Sequence, residues 1–430
     1  MRSSLIVFAA ALLVLCSLVS VSARSPLLRA RSSPYPHPGL VRDGEFIRWR
    51  PPVSSDSSPA SNVTSSWMGN NVGLLGPLTL REMILPGTHD SGAYALTTSM
   101  APDITGSDFM NSLIAFAEKL GLPVQDIITP WALSQTLDFQ QQAEAGVRYF
   151  DLRVCWNGSD FVTYHFETGN RIDTLLDDLA TFLAANPTEI IVVEAQVWAP
   201  ANVSDGAPVA AKQALIEGVL ERFKGLLYPE SSALNASYLS LLQNDWRVLF
   251  SVNDRTMYDA ATAASEQLVW WGPGGHDAPS NASEVIWNTY ANTHDLSVLQ
   301  TYDTLQTQAY NNGSAVAGAP QACERTTAVS GCLYKLSWTL TTDATAIFSS
   351  LLPGKPHSLI EMADTANTVL PAFVSQAWLA DANLRMGNIL IGDDIANSPL
   401  VGIVIAENLK AARRRQQRDV AAAAVSVAEE

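Results

Sequence analysis

Leu85-Pro86-Gly87-Thr88-His89-Asp90-Ser91-Gly92 decides how the rest of this 430-residue chain is read. A short apolar run, Met83–Pro86, stops there, and the titratable side chains of His89 and Asp90 follow at once. The pattern recurs along the chain. Val147–Val154 carries Asp151 and Arg153 near its end, and His165 closes Phe161–Tyr164. Ile190–Val197 carries Glu194, and Asn388–Ile391 runs into Asp393 and Asp394. Val248–Val252, Gln267–Trp271 and Tyr334–Leu340 complete a set of strand candidates, each short and rich in β-branched or aromatic residues. Apolar residues at three-to-four spacing predict helices over Ser112–Leu120, Ile172–Ala185, Ala210–Leu227 and Thr365–Leu379. Strands alternating with helices predict an α/β fold, a distorted (β/α)8 TIM-type barrel, with its chemistry at the C-terminal strand ends. No internal repeat is evident.

The strand ends point to a particular chemistry. The chain has only six histidines, at positions 37, 89, 165, 276, 294 and 357, and two of them close the first and third strand candidates. A barrel brings such ends within reach across its mouth. Two imidazoles facing one substrate can act as base and acid, because histidine titrates near neutrality. Arg153 lies between them in sequence, and its fork of donors suits a phosphodiester. A lone histidine is more often a satisfied structural residue. The joint placement of His89, His165, Arg153 and Asp393 is what argues for a site.

Residues 85–92 resemble the opening motif of the phosphatidylinositol-specific phospholipase C X-domain family, and Gly146-Val147-Arg148-Tyr149-Phe150-Asp151-Leu152-Arg153 is similar to its second motif. Tyr164-His165 stands where that family places its second histidine. Glu189-Ile190-Ile191-Val192-Val193-Glu194 resembles the fourth strand. Trp338-Thr339-Leu340-Thr341 and Asn388-Ile389-Leu390-Ile391-Gly392-Asp393 look like the last two strands of the bacterial-type and X-domain-only members. The likeness runs from about residue 80 to 408; its first two motifs, taken in order, are the specific ones.

The resemblance implies a phosphodiesterase acting on inositol phospholipids or glycosylphosphatidylinositol through a cyclic inositol phosphate. It implies His89 as the base on the inositol 2-hydroxyl and His165 as the acid on the leaving oxygen. Asp393 would orient His89, Arg153 would neutralise the phosphate, and Asp90 would complete the catalytic set. Asp151, Glu194 and Lys335 are the expected substrate-binding residues. Calcium-dependent relatives carry an acid where Arg153 stands, so the resemblance implies no metal and no cofactor. Calcium held by Asp90, Asp151 and Glu194 is the alternative. Two rival functions remain: a metal-dependent glycerophosphodiester or sphingolipid phosphodiesterase on the same barrel, and a non-catalytic barrel that binds lipid or glycan.

Composition narrows the partners. Residues 51–409 hold 37 acids against 14 bases, which argues against nucleic acid and against strong docking on anionic membranes. Basic residues gather at the ends, six Arg in 24–50 and five Lys or Arg in 410–418. A transient membrane surface and a monomeric state are expected. Arg2, an apolar run from Leu5 and Val21-Ser22-Ala23 read as a signal peptide over 1–23, with a signal anchor as the lesser alternative. Six acceptor sequons, at Asn62, Asn157, Asn202, Asn235, Asn281 and Asn312, fit a secreted glycoprotein. Cys323 and Cys332 are spaced for a local disulfide, and Cys155 reads as a buried thiol. The domain reading is a flexible leader over 24–75, the barrel over 76–410 and a basic, Ala-rich tail over 411–430. Trp270 reads as core, with Trp271 or His276 as candidates for the site mouth. Trp198 is ambiguous between core and mouth. Arg413, Arg414 and Arg415 read as a solvated helix face.

Overall fold

The computed structural model describes residues 40–49, 64–101, 108–121, 123–197, 206–229, 233–264, 269–272, 286–312, 333–343, 346–347, 350, 354–378 and 386–429. The chain divides after Leu40 into two units, and the description below concerns residues 41–430. The strands, in chain order, are β1 (Leu40–Asp43), β2 (Phe46–Trp49), β3 (Leu85–Thr88), β4 (Ala95–Met100), β5 (Tyr149–Trp156), β6 (Phe161–His165) and β7 (Glu167–Arg171). They continue with β8 (Ile191–Val197), β9 (Val248–Val252), β10 (Val269–Trp271), β11 (Ile286–Thr289), β12 (Leu333–Trp338) and β13 (Ile389–Gly392).

The architecture is mixed α/β. Parallel pairing runs in the order β10-β9-β8-β5-β3-β13-β12-β11. This is chain order, with the last strand returning to lie beside the first. Between β10 and β11 no pairing is present among the described residues, so the sheet is not closed there. Parallel neighbours need long crossovers, and helices supply them. Val209–Arg222 links β8 to β9, Arg255–Ala264 links β9 to β10, and Leu296–Asn312 lies between β11 and β12. Strands covered on both faces read as nearly continuous apolar runs. Val248–Val252 is buried at every residue, and so is Leu333–Trp338.

Phe161–His165, expected as the third strand of the parallel set, pairs antiparallel with β5 instead. The cause is local. Asn157 Oδ1 accepts from the amides of Ser159 and Asp160, and Gly158 takes a φ of 105°, so the chain reverses too tightly for a crossover. β7, β4 and β2 continue this antiparallel wing. The eighth parallel strand is Ile286–Thr289, whose four residues include an exposed Asn288 and carry little periodic signal. Among the predicted helices, Ile172–Ala185 is found with the same bounds, and Ser112–Leu120 begins earlier, at Asp108. Val209–Arg222 ends before Leu227. The last predicted helix runs Leu359–Phe373 and passes into a π-turn, Val374–Trp378.

The start of the packed body also lies earlier than expected. The stretch read as leader is core from residue 64 onward: Trp67, Met68 and Leu75 are buried in the main hydrophobic cluster. Glu189 anchors it by accepting from the amides of Met68 and Gly69, and Arg148 donates to Ser65 O. At the other end, Leu400–Glu429 is a single helix. Ala412 is buried, and Arg415 pairs with Glu82 at 2.6 Å, which takes it off the solvated face. Trp271, like Trp270, is core and does not reach the site mouth; it packs edge-on against Tyr258.

Asn157 and Asn235 are exposed. Cys155 is a buried free thiol. The signal segment, Asn62, Asn202, Asn281, Trp198, His276, Cys323 and Cys332 lie outside the described residues. Among the described residues no helix is long and apolar enough to cross a membrane.

Candidate active site

The site begins in the turn after β3. Gly87 and Gly92 of the opening motif both leave no room for a side chain, and Gly87 is the one beneath the site. A Cβ there would stand 2.8 Å from both Ile391 Cγ2 and Tyr149 Cδ1, so the glycine lets β13 and β5 close in beneath His89. Asp90 turns the chain with a φ of 42°. Ser134 Oγ donates to Asp90 O, and Gln135 Nε2 donates to both His89 O and Gly392 O, which ties the ends of β3 and β13 together. The His89 amide donates to Gly392 O at 3.1 Å.

Alternation along β5 puts Tyr149, Asp151 and Arg153 on one face. The register sets Asp151 opposite Glu194 and Arg153 opposite Gln196 on β8. Arg153 Nε lies 2.9 Å from Asp90 Oδ1 and 3.2 Å from Asp151 Oδ1. Gln196 Nε2 donates to Asp151 Oδ1 at 2.8 Å and to Glu194 Oε1 at 2.7 Å. Burial would raise Asp151, but Arg153 first, then Lys335 and His89, hold it well below the usual carboxylate range.

The two histidines face each other with ring centroids 6.2 Å apart. His89 Nδ1 is 2.8 Å from Asp393 Oδ1, and His165 Nδ1 donates to Ala132 O at 2.6 Å. Both Nε2 atoms then turn toward the same carboxylate, His89 at 3.4 Å and His165 at 3.3 Å from Asp90 Oδ2. Burial alone would lower the His89 imidazole, but the charges of Asp90 and Asp393 outweigh it and raise it to about 9. Asp90 is likewise raised by burial and pulled back below its ordinary value by Arg153, His89 and His165.

These groups line a cleft of about 310 Å³. All five residues expected to be catalytic lie here: His89, Asp90, Arg153 and His165 line the cleft, and Asp393 sits behind His89. Of the expected substrate ligands, Asp151 and Lys335 line the cleft and Glu194 does not. Glu194 is fully buried beneath it, bonded to Lys335 Nζ at 2.9 Å and to the Tyr149 hydroxyl. Among the described residues, the acid and histidine group whose ligand atoms converge, within 4.8 Å, is His89, Asp90 and Asp151. Arg153 already sits against both of its carboxylates.

Residues not anticipated also line the cleft. Gln196 follows Glu194 by two on the same face, a spacing visible in the sequence. Asn288 and Tyr290 come from β11 and its end, and Thr341, joined to Tyr290 through their hydroxyls, follows β12. Phe166 stacks on the His165 ring at 4.8 Å.

No family model matches the chain. In sequence it is similar to PI-PLC X domain-containing protein 2 of Homo sapiens, 30% identical over 36% of this chain and 50% of that protein. The mouse protein of the same description is 28% identical over 46% of this chain and 56% of its own length. A variant-surface-glycoprotein phospholipase C of Trypanosoma cruzi is 24% identical over 51% of this chain and 58% of that protein. The chain thus spans about half the length of the curated relatives it matches. A solved phosphatidylinositol-specific phospholipase C from Listeria monocytogenes covers 81% of this chain and 98% of its own, at 19% identity and a TM-score of 0.49, a likeness too low to add weight. The curated matches place the chain's resemblance with the X-domain group of phospholipase-C-like phosphodiesterases.

Proposed function

We propose that this protein is a phosphodiesterase of the phosphatidylinositol-specific phospholipase C type, secreted and metal-independent, on a distorted barrel. The observation that carries the reading is the convergence of His89 and His165 on one carboxylate beside Arg153, in one cleft.

Chemistry follows from the atoms. With Nδ1 on Asp393, His89 presents Nε2 to the cleft, where it takes a proton from a substrate hydroxyl. That hydroxyl oxygen, the inositol 2-hydroxyl by resemblance, forms a new bond to phosphorus as the bond to the leaving alcohol breaks. His165, fixed by Ala132 O, delivers a proton from Nε2 to that alcohol oxygen, and Asp90 holds the proton in line. Arg153 neutralises charge on the phosphoryl oxygens as it grows. The products are a cyclic phosphodiester and a free alcohol, and no metal takes part. Because His89 is raised to about 9, the base form gains population through the mildly alkaline range, and kcat/KM should climb with pH up to that point.

The test is incubation of purified protein with phosphatidylinositol and with a glycosylphosphatidylinositol-anchored protein, chelator present, and phosphorus NMR of the products. Cyclic inositol phosphate is expected. Turnover that appears only when calcium is added would instead favour a cation on His89, Asp90 and Asp151, the second reading that their convergence allows. Binding of lipid without turnover would leave a lipid-binding module.

A further inference from the structure

Behind His165 lies a buried acid that the chemistry above does not use. β6 passes into β7 through Phe166 alone, whose φ of 63° closes the hairpin with His165 and Glu167 as register partners. Partners across a ladder share a face, and both side chains meet the helix Val124–Ala132. His165 Nδ1 donates to Ala132 O at 2.6 Å. One turn earlier, Thr129 Oγ1 lies 2.9 Å from each carboxyl oxygen of Glu167. Glu167 is fully buried and Thr129 almost so.

Among the described residues no cation pairs with Glu167. One hydroxyl is a poor substitute for water around a buried charge. Burial accordingly pushes the Glu167 carboxyl up to about 8, against the opposing hydrogen bond from Thr129. The other titratable groups on the elements around it are Asp126, on the helix one turn before Thr129, Tyr164 and His165 on β6, and Arg171 at the far end of β7. β4, which sets Met100 opposite Glu167, brings none.

We propose that Glu167 is a positioning residue for His165: through Thr129 it holds the helix Val124–Ala132 where Ala132 O fixes the imidazole with its Nε2 toward Asp90 and the cleft. The role assigned to His165 is that of the proposed function. The protonated carboxyl suits this place, since it shares a hydrogen bond with Thr129 and leaves no buried charge. Ionisation above about pH 8 puts a carboxylate behind the hairpin with a single donor, and the clamp loosens.

The experiment follows His165 directly, by nitrogen-15 NMR of the imidazole in the full chain, alongside kcat and KM on phosphatidylinositol in detergent micelles. In E167A and T129V the Nδ1–H signature of His165 should be lost, and kcat should fall roughly tenfold or more with KM little changed, as expected for a displaced proton donor. E167Q should rescue both. The ratio of wild-type to E167Q kcat should fall above about pH 8, because only the carboxyl ionises there. An unaltered His165 signature in E167A and T129V would overturn the proposal, and so would an alkaline fall shared equally by E167Q. T129V decides the matter if E167A does not fold. If the wild type cleaves no phosphodiester, the functional reading fails and the NMR comparison still decides this one.

Discussion

At the scale of single residues, the site is a set of charges that fix one another's protonation. H89A and H165A should each lower turnover on phosphatidylinositol by about two to four orders of magnitude, with the fold intact by circular dichroism. Lysine at position 153 keeps the charge and loses the Nε–H that lies between Asp90 and Asp151, so R153K should cost about 10²-fold in kcat rather than in KM. The pH profile is the sharper check. Asp90, with Asp393 and Asp151, is one of the three carboxylates holding His89 in its charged form, so D90N should move the rising limb of kcat/KM down from about 9. The sign is fixed: removing a negative neighbour always eases deprotonation. A limb that stays in place in D90N would exclude His89 as the titrating base.

At the scale of elements, a buried ion pair joins the stretch at residues 65–69 to the parallel sheet. Arg148 is wholly buried, with Nε 2.8 Å from Glu189 Oε2 and Nη1 donating to Ala143 O and Val147 O. Glu189 reaches onward to the amides of Met68 and Gly69. E189A leaves Arg148 charged and unpaired, and should cost about 3–5 kcal/mol in urea unfolding. G69A should also destabilise, since a Cβ there falls 1.9 Å from Thr188 Oγ1. Both changes lie on the side of the strands away from the cleft chemistry, so the loss should appear in stability before it appears in kcat. Nothing in residues 24–75, rich as they are in Ser, Pro and Gly, signals that Trp67 and Met68 are core; the partner that holds them is 120 residues away.

For the whole molecule, the acidic body and the basic C-terminal helix matter through packing as well as charge. Leu400 and Val404 are fully buried, and Asn408 brackets Ile84 by accepting from its amide and donating to its carbonyl. Truncation after Ser398 should therefore abolish folding or lower the melting temperature sharply, whereas truncation after Asp419 keeps these contacts and the Arg415–Glu82 pair and should change it little. A melting temperature equal in both would show that the helix is not part of the fold. The motif stretches alone determined where the titratable groups of the cleft fall: His89, Asp90, Asp151 and Arg153 sit at or near strand ends because each short apolar run stops where its polar residues begin, a local property. They also marked most of the parallel, buried strands, since such strands read as apolar runs. Only the tertiary structure decided that His165 arrives on an antiparallel hairpin and that Ile286–Thr289 takes the vacant strand position. It likewise decided that Glu194 is taken up by Lys335, 141 residues away. Those outcomes depend on a tight turn, on pairing between distant strands and on the desolvation of one carboxylate beside one ammonium. Such terms exist only once the chain has closed on itself, and no window of sequence contains them.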